Sequence, residues 1–347
     1  MVEMREIGSE FEVMESSGAA GDPLFWPVGC DFLYTISGRS AIDMVLADAG
    51  RIRKALVPTY CCDSMLVPFR RHGIGLEFYA VGYGEDGFQE EFAIPADVDA
   101  VLRMSYFGFR DNYPTEALAA FRKRGGVVIE DVTHSLFARE KFGKCSDYAV
   151  ASLRKWGGLA SGGLCVKRGV FRNRELTEPP REFVEKKLGA MHQKKEYLLS
   201  PNEERKQEFL RAFAETNHWL GEQFGMAIDP YSAEQFSRWD GAEMTRRRRE
   251  NATVLYRGLE GLPFVRPLFP LDQMDCPLFV PVVVDAGRRD ALCRHLAENG
   301  VYCPRHWPHP LTECSSNLYD IELSLVCDQR YGNADMERIV KLLREYR

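Results

Sequence analysis

Short apolar segments alternate with helical segments between residues 31 and 169, and this alternation limits the possible folds most strongly. Segments such as ALVPTY, GLEFYAV and GVVIED have the length and composition of buried strands, whereas SAIDMVLADAG and TEALAAFRKRG place apolar residues at helical spacing. A chain of this kind forms a mostly parallel sheet covered by helices, and such sheets bind ligands beyond the carboxyl ends of their strands. We therefore predict an α/β fold with its functional site at that edge.

The stretch from Gly125 to Gly163 delivers two reactive groups at strand ends. The apolar run VVI leads into Glu130 and Asp131, and a second apolar segment, residues 148–153, is followed by RKWGG. Pyridoxal-phosphate chemistry needs an amine that combines with the aldehyde of the cofactor and a carboxylate that keeps its pyridine nitrogen protonated. The pairing of Lys155 with Asp131 therefore predicts a pyridoxal-phosphate site.

Charge and hydropathy exclude several classes of protein. The 347 residues carry a net charge of -6, which argues against a general nucleic-acid-binding protein because phosphate binding depends on basic surface. No apolar run approaches the roughly 20 residues of a membrane span, and the acidic start MVEMREIGSEFEVMESSG is unlike a signal peptide. We therefore expect a cytoplasmic enzyme without membrane or nucleic-acid partners. Its 10 cysteines are scattered and lack a CxxC pair, which predicts free thiols.

Two glycine-containing segments directly follow predicted strands. Ser37 and Gly38 precede a helix whose first N–H groups suit a phosphate, although a plain turn with an N-cap explains the same residues. GYGEDG has the GxGxxG spacing of dinucleotide-binding loops, but Glu85 and Asp86 would face the pyrophosphate and no amphipathic helix follows before Pro95. We interpret GYGEDG as a surface turn.

The strand and helix alternation stops beyond Gly169. Residues 172–239 are charged and helical in pattern, and the C-terminal part that follows combines strand-like and helical segments, which predicts a small α+β domain. The run Arg246–Arg249 lies between Glu243 and Glu250. We interpret it as a solvent-exposed helix face and not as a nucleic-acid-binding patch.

Six motifs occur along the chain in a characteristic order: SGRSAI, VPTY, EDVTHS, SLRKW with glycines after it, GVYCPRHW and LSLVCDQRY. In these motifs the chain, from about Phe32 to its end, resembles the DegT/DnrJ/EryC1/StrS aminotransferases, a family of fold-type I pyridoxal-phosphate enzymes. The resemblance implies an N-terminal arm (1–30), a large domain (31–245) with a mostly parallel, helix-flanked, seven-stranded sheet, and a small α+β domain (246–347). It also implies a homodimer with the active site at the subunit interface. In such enzymes an amino-acid donor, usually glutamate, supplies an amino group to a keto-sugar carried on a nucleotide.

The resemblance assigns roles to four residues of the central stretch. Lys155 matches the lysine that binds the cofactor and later moves the proton, and Asp131 matches the acid that pairs with the pyridinium nitrogen. His134 stands where the family commonly has a glutamine that contacts the phenolic oxygen of the cofactor. Ser152 matches a serine that binds the phosphate.

The phosphate turn and the ring-stacking residue follow from the same resemblance. Gly38, Arg39 and Ser40 match the phosphate-binding turn, with arginine where the family usually has threonine, and arginine is itself a good phosphate partner. For the residue that stacks on the cofactor ring, alignment with the family gives Cys62, whereas Tyr60 is the nearest aromatic residue. We take Tyr60 as the candidate.

Loops of the small domain carry the predicted substrate residues. By resemblance, Tyr302, Arg305, His306 and Tyr331 approach the substrate. His306 and His309 form an HxxH pattern, but without a third ligand nearby in the sequence we predict no metal site.

Alternative functions remain open. SLRK also fits the SxxK pattern of serine acyl-transfer enzymes, with Ser152 as nucleophile and Lys155 as base, but a KTG-like strand is absent and the pattern here ends a strand instead of opening a helix. A non-catalytic regulator or binding protein would need neither Lys155 nor Asp131. Dehydratases of the family replace the lysine by histidine, so the sequence favours transamination.

Overall fold

The computed structural model describes residues 5–14, 23–24, 26–110, 113–139, 143, 145–309 and 316–346. The strands are β1 (Ile7–Gly8), β2 (Cys30–Thr35), β3 (Lys54–Pro58), β4 (Gly75–Gly84), β5 (Gly87–Glu91), β6 (Ala100–Met104), β7 (Val127–Asp131), β8 (Tyr148–Ser152), β9 (Gly163–Arg168), β10 (Val265–Pro267), β11 (Val280–Val284), β12 (Val301–Tyr302) and β13 (Glu322–Leu325). The helices are α1 (Gly38–Ala49), α2 (Asp63–Arg71), α3 (Thr115–Lys123), α4 (Arg181–Leu199), α5 (Glu203–Gly221), α6 (Pro230–Ser237), α7 (Gly241–Leu259), α8 (Arg289–Glu298), α9 (Leu318–Ile321) and α10 (Asn333–Glu345).

Strands β2 to β9 form one sheet of eight strands in the order β2-β9-β8-β7-β6-β3-β4-β5. The neighbours β8, β7, β6, β3 and β4 pair in parallel, whereas β9 and β5 run antiparallel to their neighbours. The central strands β6 and β7 are apolar at consecutive positions because both faces of the sheet are covered. The predicted mostly parallel sheet is confirmed.

The eighth strand results from the GYGEDG segment. Gly84 pairs with Gly87 at the end of an antiparallel hairpin, and Glu85 and Asp86 form its turn. The interpretation of this segment as a turn is therefore confirmed. Because β5 folds back along β4, it extends the expected seven-stranded sheet by one edge strand.

Helices dominate the middle of the chain, as the charge pattern predicted. Helices α4 and α5 pack against each other, and a three-stranded antiparallel sheet, β10-β11-β13, follows together with α7, α8 and α10. This combination is the predicted α+β arrangement. The proposed boundary between residues 245 and 246 falls inside α7, which packs against α10. The division into domains stays a prediction.

The arginine run in α7 covers two faces of the helix. Arg246 pairs with Glu243 and Glu250 at 2.6 Å, as expected for a solvent-exposed face. Arg248, in contrast, is fully buried, with its guanidinium carbon 4.4 Å from the ring centroid of Trp156 and its Nη1 donating to the Leu278 carbonyl. The prediction was wrong for Arg248, because a helix turns about 100° per residue and residues two positions apart, such as Arg246 and Arg248, lie on nearly opposite sides.

Two other expectations concern the whole chain. The nine described cysteines are free thiols, which confirms the prediction for them, and Cys314 lies outside the described residues. Among the described helices, none has both the length and the apolar character that crossing a bilayer requires.

Candidate active site

The carboxyl ends of β7 and β8 face a cavity of about 190 Å³. Six of the predicted cofactor residues line this cavity: Gly38, Arg39, Asp131, His134, Ser152 and Lys155. They come from the start of α1, from the ends of the two neighbouring strands and from the turns that follow those strands. Folding therefore brings together groups that are far apart in the sequence.

Asp131 is the last residue of β7 and is only 5% exposed. Its Oδ1 accepts the Thr133 N–H at 2.8 Å. Burial raises the pKa of Asp131, whereas hydrogen bonds from Thr133 and the positive charge of Lys155 lower it. A buried carboxylate of this kind is stabilised by a further cationic N–H, which is what a protonated pyridine nitrogen offers.

Lys155 ends a single 3-10 turn, Leu153–Lys155, directly after β8. The next residue, Trp156, holds this turn in place: it is fully buried, its Nε1 donates to the Thr133 carbonyl at 2.7 Å, and Arg248 packs on its ring. The backbone beside the lysine is thus fixed, while the Lys155 side chain is exposed and lines the cavity. An amine so placed is accessible to an incoming aldehyde.

Thr133 connects the ends of the two strands, and the sequence analysis missed it. Besides its bonds to Asp131 and Trp156, its Oγ1 accepts the Ser152 N–H at 3.0 Å. Its position inside the EDVTHS motif, two residues after the acid, was the signal available in the sequence.

The N-terminus of α1 and Ser152 form a cradle whose hydrogen-bond donors suit a phosphate. Ser37 caps the helix through its Oγ, which accepts the Ser40 N–H at 3.1 Å, and the Ser40 hydroxyl is buried without a hydrogen bond in the described structure. A Cβ on Gly38 would lie 3.1 Å from the Ser152 Cβ, so glycine keeps this space open. Arg39 adds a positive charge and donates to the Gly221 carbonyl. Helix N–H groups, hydroxyls and a guanidinium are the usual partners of a phosphate.

His134 is buried beside the acid, and its hydrogen bonding indicates a neutral ring. Burial, His306 and Lys155 lower the pKa of His134 well below its usual value. Its Nδ1 lies 3.4 Å from the Phe107 N–H and accepts from it, which leaves the proton on Nε2. A neutral histidine with an Nε2–H can donate to an oxygen acceptor such as a phenolic oxygen. The residues of the cavity therefore fit pyridoxal phosphate at its nitrogen, its aldehyde, its phenol and its phosphate.

Tyr60, the candidate for ring stacking, lies behind the cavity. It is fully buried, its carbonyl accepts the Tyr106 hydroxyl at 2.6 Å, and its ring centroid is 5.0 Å from that of Trp307. Cys62 and Trp307 are among the residues that line the cavity, and Trp307 stacks on His134 at 5.7 Å. Trp307 is a second residue that the sequence analysis missed.

The predicted substrate residues are spread over different surroundings. His306 contacts His134 at 5.4 Å between ring centroids and bonds Ser324 through its Nδ1 at 2.9 Å. Arg305 is half-exposed and pairs with Asp290. Two further side chains of the set form hydrogen bonds elsewhere: the Tyr302 hydroxyl donates to Glu6, and the Tyr331 hydroxyl accepts the Gly8 N–H. His309 of the HxxH pattern hydrogen-bonds Asp320. Of the predicted substrate set, the structure therefore places His306 beside the cavity.

Arg154, Asn217 and Leu220 also line the cavity. Asn217 and Leu220 belong to α5, so this helix of the middle region forms one wall of the cavity. The sequence carries no local signal for this contribution, because it depends on how α5 packs against the sheet.

Comparison with known proteins supports the architecture. No protein-family model matches the chain, and no curated protein matches it by sequence. Solved structures with the same fold include DesI in the presence of its TDP-sugar product (TM-score 0.64, 17% identity, covering 90% of this chain and 80% of DesI). Two others are the putative sugar aminotransferase Spr1654 from Streptococcus pneumoniae in its PLP form (0.62, 14%, 90% and 86%) and a DegT DnrJ EryC1 StrS aminotransferase from Brucella abortus (0.58, 14%, 90% and 85%). The chain therefore shares the fold of these solved structures, and the predicted fold class is confirmed.

Proposed function

We propose that this protein is a pyridoxal-phosphate-dependent aminotransferase of the DegT/DnrJ/EryC1/StrS type. It transfers an amino group from an amino-acid donor, glutamate in our proposal, to the keto group of a sugar that is carried on a nucleotide. The observation that carries the proposal is the convergence of Lys155 and Asp131 on one cavity that also receives the N-terminus of α1. Among the solved structures with the same fold, DesI with its TDP-sugar product supports the substrate class, and the PLP form of Spr1654 supports the cofactor.

The residues of this chain divide the chemistry between them. When bound, pyridoxal phosphate supplies an aldehyde that combines with amines and a ring that withdraws electrons from the substrate carbon. Lys155 would hold the cofactor covalently, and its Nζ, once released by the donor amine, would take the proton from the substrate carbon and pass it on. The Asp131 carboxylate would keep the pyridine nitrogen protonated, and the His134 Nε2–H would donate to the phenolic oxygen. The α1 N-terminus, Arg39 and Ser152 would bind the phosphate.

The absorbance spectrum of the purified protein tests this function directly. We expect an absorption band of bound cofactor in the near-visible region, a spectral change on adding glutamate, and attachment of the cofactor to Lys155 after borohydride reduction. The variant Lys155→Ala should lose the glutamate-dependent change, because no other group at this position can combine with the aldehyde.

The control is Lys123→Ala, which removes an exposed lysine at the end of α3 and should respond to glutamate as the wild type does. A Lys155→Ala protein that still completes the half-reaction would contradict the role of the lysine. Labelling of Ser152 by a β-lactam probe, without any cofactor band, would instead favour a serine acyl-transfer enzyme.

We further propose that the enzyme acts as a homodimer in the cytoplasm, with the active site at the subunit interface. The resemblance of the motifs supports the dimer. Light scattering of the purified protein tests the dimer.

A further inference from the structure

The N-terminal arm, residues 5–14, runs past the loop that follows Lys155. The arm is held on α4, where Lys194 donates to the Glu10 carbonyl and the Val13 N–H donates to the Met191 carbonyl at 3.4 Å. A Cβ on Gly158 would clash with the carbonyl oxygen of Glu12, so arm and loop are in direct contact. The arm therefore lies against the loop that follows Lys155, one of the residues that line the cavity.

The side chain of Glu10 reaches from the arm into a group of polar residues at the cavity wall. Its Oε1 accepts from the Asn217 amide at 2.7 Å, and its Oε2 lies 3.4 Å from the Lys187 ammonium. Lys187 and Arg154 both donate to the Asn217 Oδ1, at 3.0 and 3.4 Å. Two cations and one amide thus surround one carboxylate.

This arrangement holds cations that are costly to bury. The Lys187 side chain is 2% exposed, and burial lowers its pKa to about 8. Burial lowers the pKa of Arg154 as well, and its Nε makes no hydrogen bond in the described structure. Such groups need an anion beside them, because a buried charge without a partner is strongly destabilising.

Glu10 is a replaceable anion. Burial raises the pKa of Glu10, but the charges of Lys187 and Arg154 hold it below its ordinary value, so the carboxylate is ionised at neutral pH. Its side chain remains 38% exposed and belongs to an irregular segment, unlike its partners, which lie on α4, on α5 and in the turn after β8. A soluble carboxylate can therefore take its place without rebuilding the wall of the cavity.

We propose that Arg154, Lys187 and Asn217 form the subsite for a carboxylate of the amino-acid donor, and that Glu10 occupies this subsite when the donor is absent. The inference rests on the proposed aminotransferase function. Arg154 and Asn217 line the same cavity as Lys155, and the charge of Lys155 also acts on Glu10. A donor carboxylate bound here would therefore lie in the same cavity as the Lys155 Nζ, which the donor amine would replace on the cofactor.

Binding of glutarate to the cofactor-loaded protein tests the subsite, because glutarate has two carboxylates and no amine to react. Glu10→Gln removes the competing charge, and we expect glutarate to bind about fivefold more tightly, as the loss of one partly exposed ion pair predicts. Lys187→Met should weaken binding by about tenfold, because it removes a charged hydrogen-bond donor. Calorimetry measures both.

The matched control is Glu6→Gln, which removes another carboxylate of the same arm. Glu6 pairs with Lys206 of α5 at 2.7 Å and bonds Tyr197 and Tyr302, away from Arg154, Lys187 and Asn217. This variant should bind glutarate as the wild type does. Equal glutarate affinity in the wild type and Glu10→Gln would overturn the proposal, and so would equal tightening in Glu6→Gln, because the effect would then come from loosening the arm. Comparing Glu10→Gln with Glu6→Gln shows whether Glu10 competes for the subsite, even if Lys187→Met does not fold.

Failure of the inference is distinguishable from failure of the proposed function. A protein without a cofactor band or a response to glutamate contradicts the aminotransferase function. A protein that shows both, but whose glutarate affinity does not depend on Glu10, contradicts the subsite alone.

Discussion

Glu130 and Asp131 are consecutive acids at the end of β7, yet their side chains reach different surroundings. Successive side chains of a strand point to opposite faces of the sheet. Asp131 faces the cavity, whereas the Oε2 of Glu130 accepts the Gly143 N–H at 2.8 Å on the other side, near Arg103. Burial raises the pKa of both carboxyl groups, but only Asp131 has Lys155 as its cationic neighbour. The alternation of side chains along β7 therefore places Asp131, and not Glu130, where a bound cofactor can contact it.

At the residue scale we predict that Asp131→Asn slows the half-reaction with glutamate by about 100-fold to 1000-fold. An amide cannot hold a proton on the pyridine nitrogen, so the ring withdraws electrons less strongly, while the phosphate contacts that retain the cofactor are unchanged. Stopped-flow absorbance of the cofactor-loaded protein measures the rate. Glu130→Gln is the control and should react at nearly the wild-type rate. Equal rates in the wild type, Asp131→Asn and Glu130→Gln would show that Asp131 has no role in the reaction.

At the scale of elements, the site depends on the close approach of α1 to β8. Helix α1 packs on β8 and β9, and its first residue, Gly38, lies against Ser152 at the end of β8. The Ser40 N–H donates to the Ser37 cap and the Ala41 N–H donates to the Ser37 carbonyl, so the helix meets the cavity at Gly38 and Arg39. A phosphate there meets a helix N-terminus and a strand end at the same time.

We predict that Gly38→Ala weakens cofactor binding by about tenfold, since the added methyl group pushes α1 away from Ser152 and overpacking of this kind costs about 1 kcal/mol or more. Titration of the apoprotein with pyridoxal phosphate measures the affinity. Gly189→Ala in α4 is a matched change with nothing within 4 Å of the new Cβ, and it should leave the affinity unchanged. An unchanged affinity in Gly38→Ala would show that the cradle tolerates a side chain.

At the scale of the whole molecule, the arm joins the beginning of the chain to its C-terminal part. Strand β1 pairs in parallel with β12, Ile7 is fully buried, and the Tyr331 hydroxyl accepts the Gly8 N–H at 2.8 Å. The same arm carries Glu10 to Asn217, which lines the cavity. The arm thus couples the C-terminal strands to the wall of the active site.

We predict that Ile7→Ala lowers the free energy of unfolding by about 3 kcal/mol, because it leaves a cavity where a fully buried side chain packed. Urea denaturation measures the change. Val28→Ala removes a fully exposed side chain and should alter stability by less than about 0.5 kcal/mol. If Ile7→Ala were as stable as Val28→Ala, the arm would not be docked in solution.

The sequence predicted the mostly parallel sheet, a surface turn at GYGEDG and six of the residues that line the cavity. The strands, the turn, the acid and the amine follow from local patterns, whereas Arg39, His134 and Ser152 were assigned by resemblance to the family. Apolar runs mark strands, and a reactive residue directly after such a run must lie at the edge where ligands bind. The sequence placed the arginine run on a solvated face and missed Thr133, Trp307 and Asn217. These residues owe their positions to contacts with distant elements.

The sequence by itself therefore determined the strand and helix pattern and the acid and amine that two strands deliver. Only the tertiary structure decided which side chains form the remaining walls, that Arg248 is buried on Trp156, and that Glu10 of the arm lies among Arg154, Lys187 and Asn217. The physical reason is that hydrophobic periodicity specifies which face of an element is buried but not which neighbour covers it. That choice is made by the packing of the whole chain.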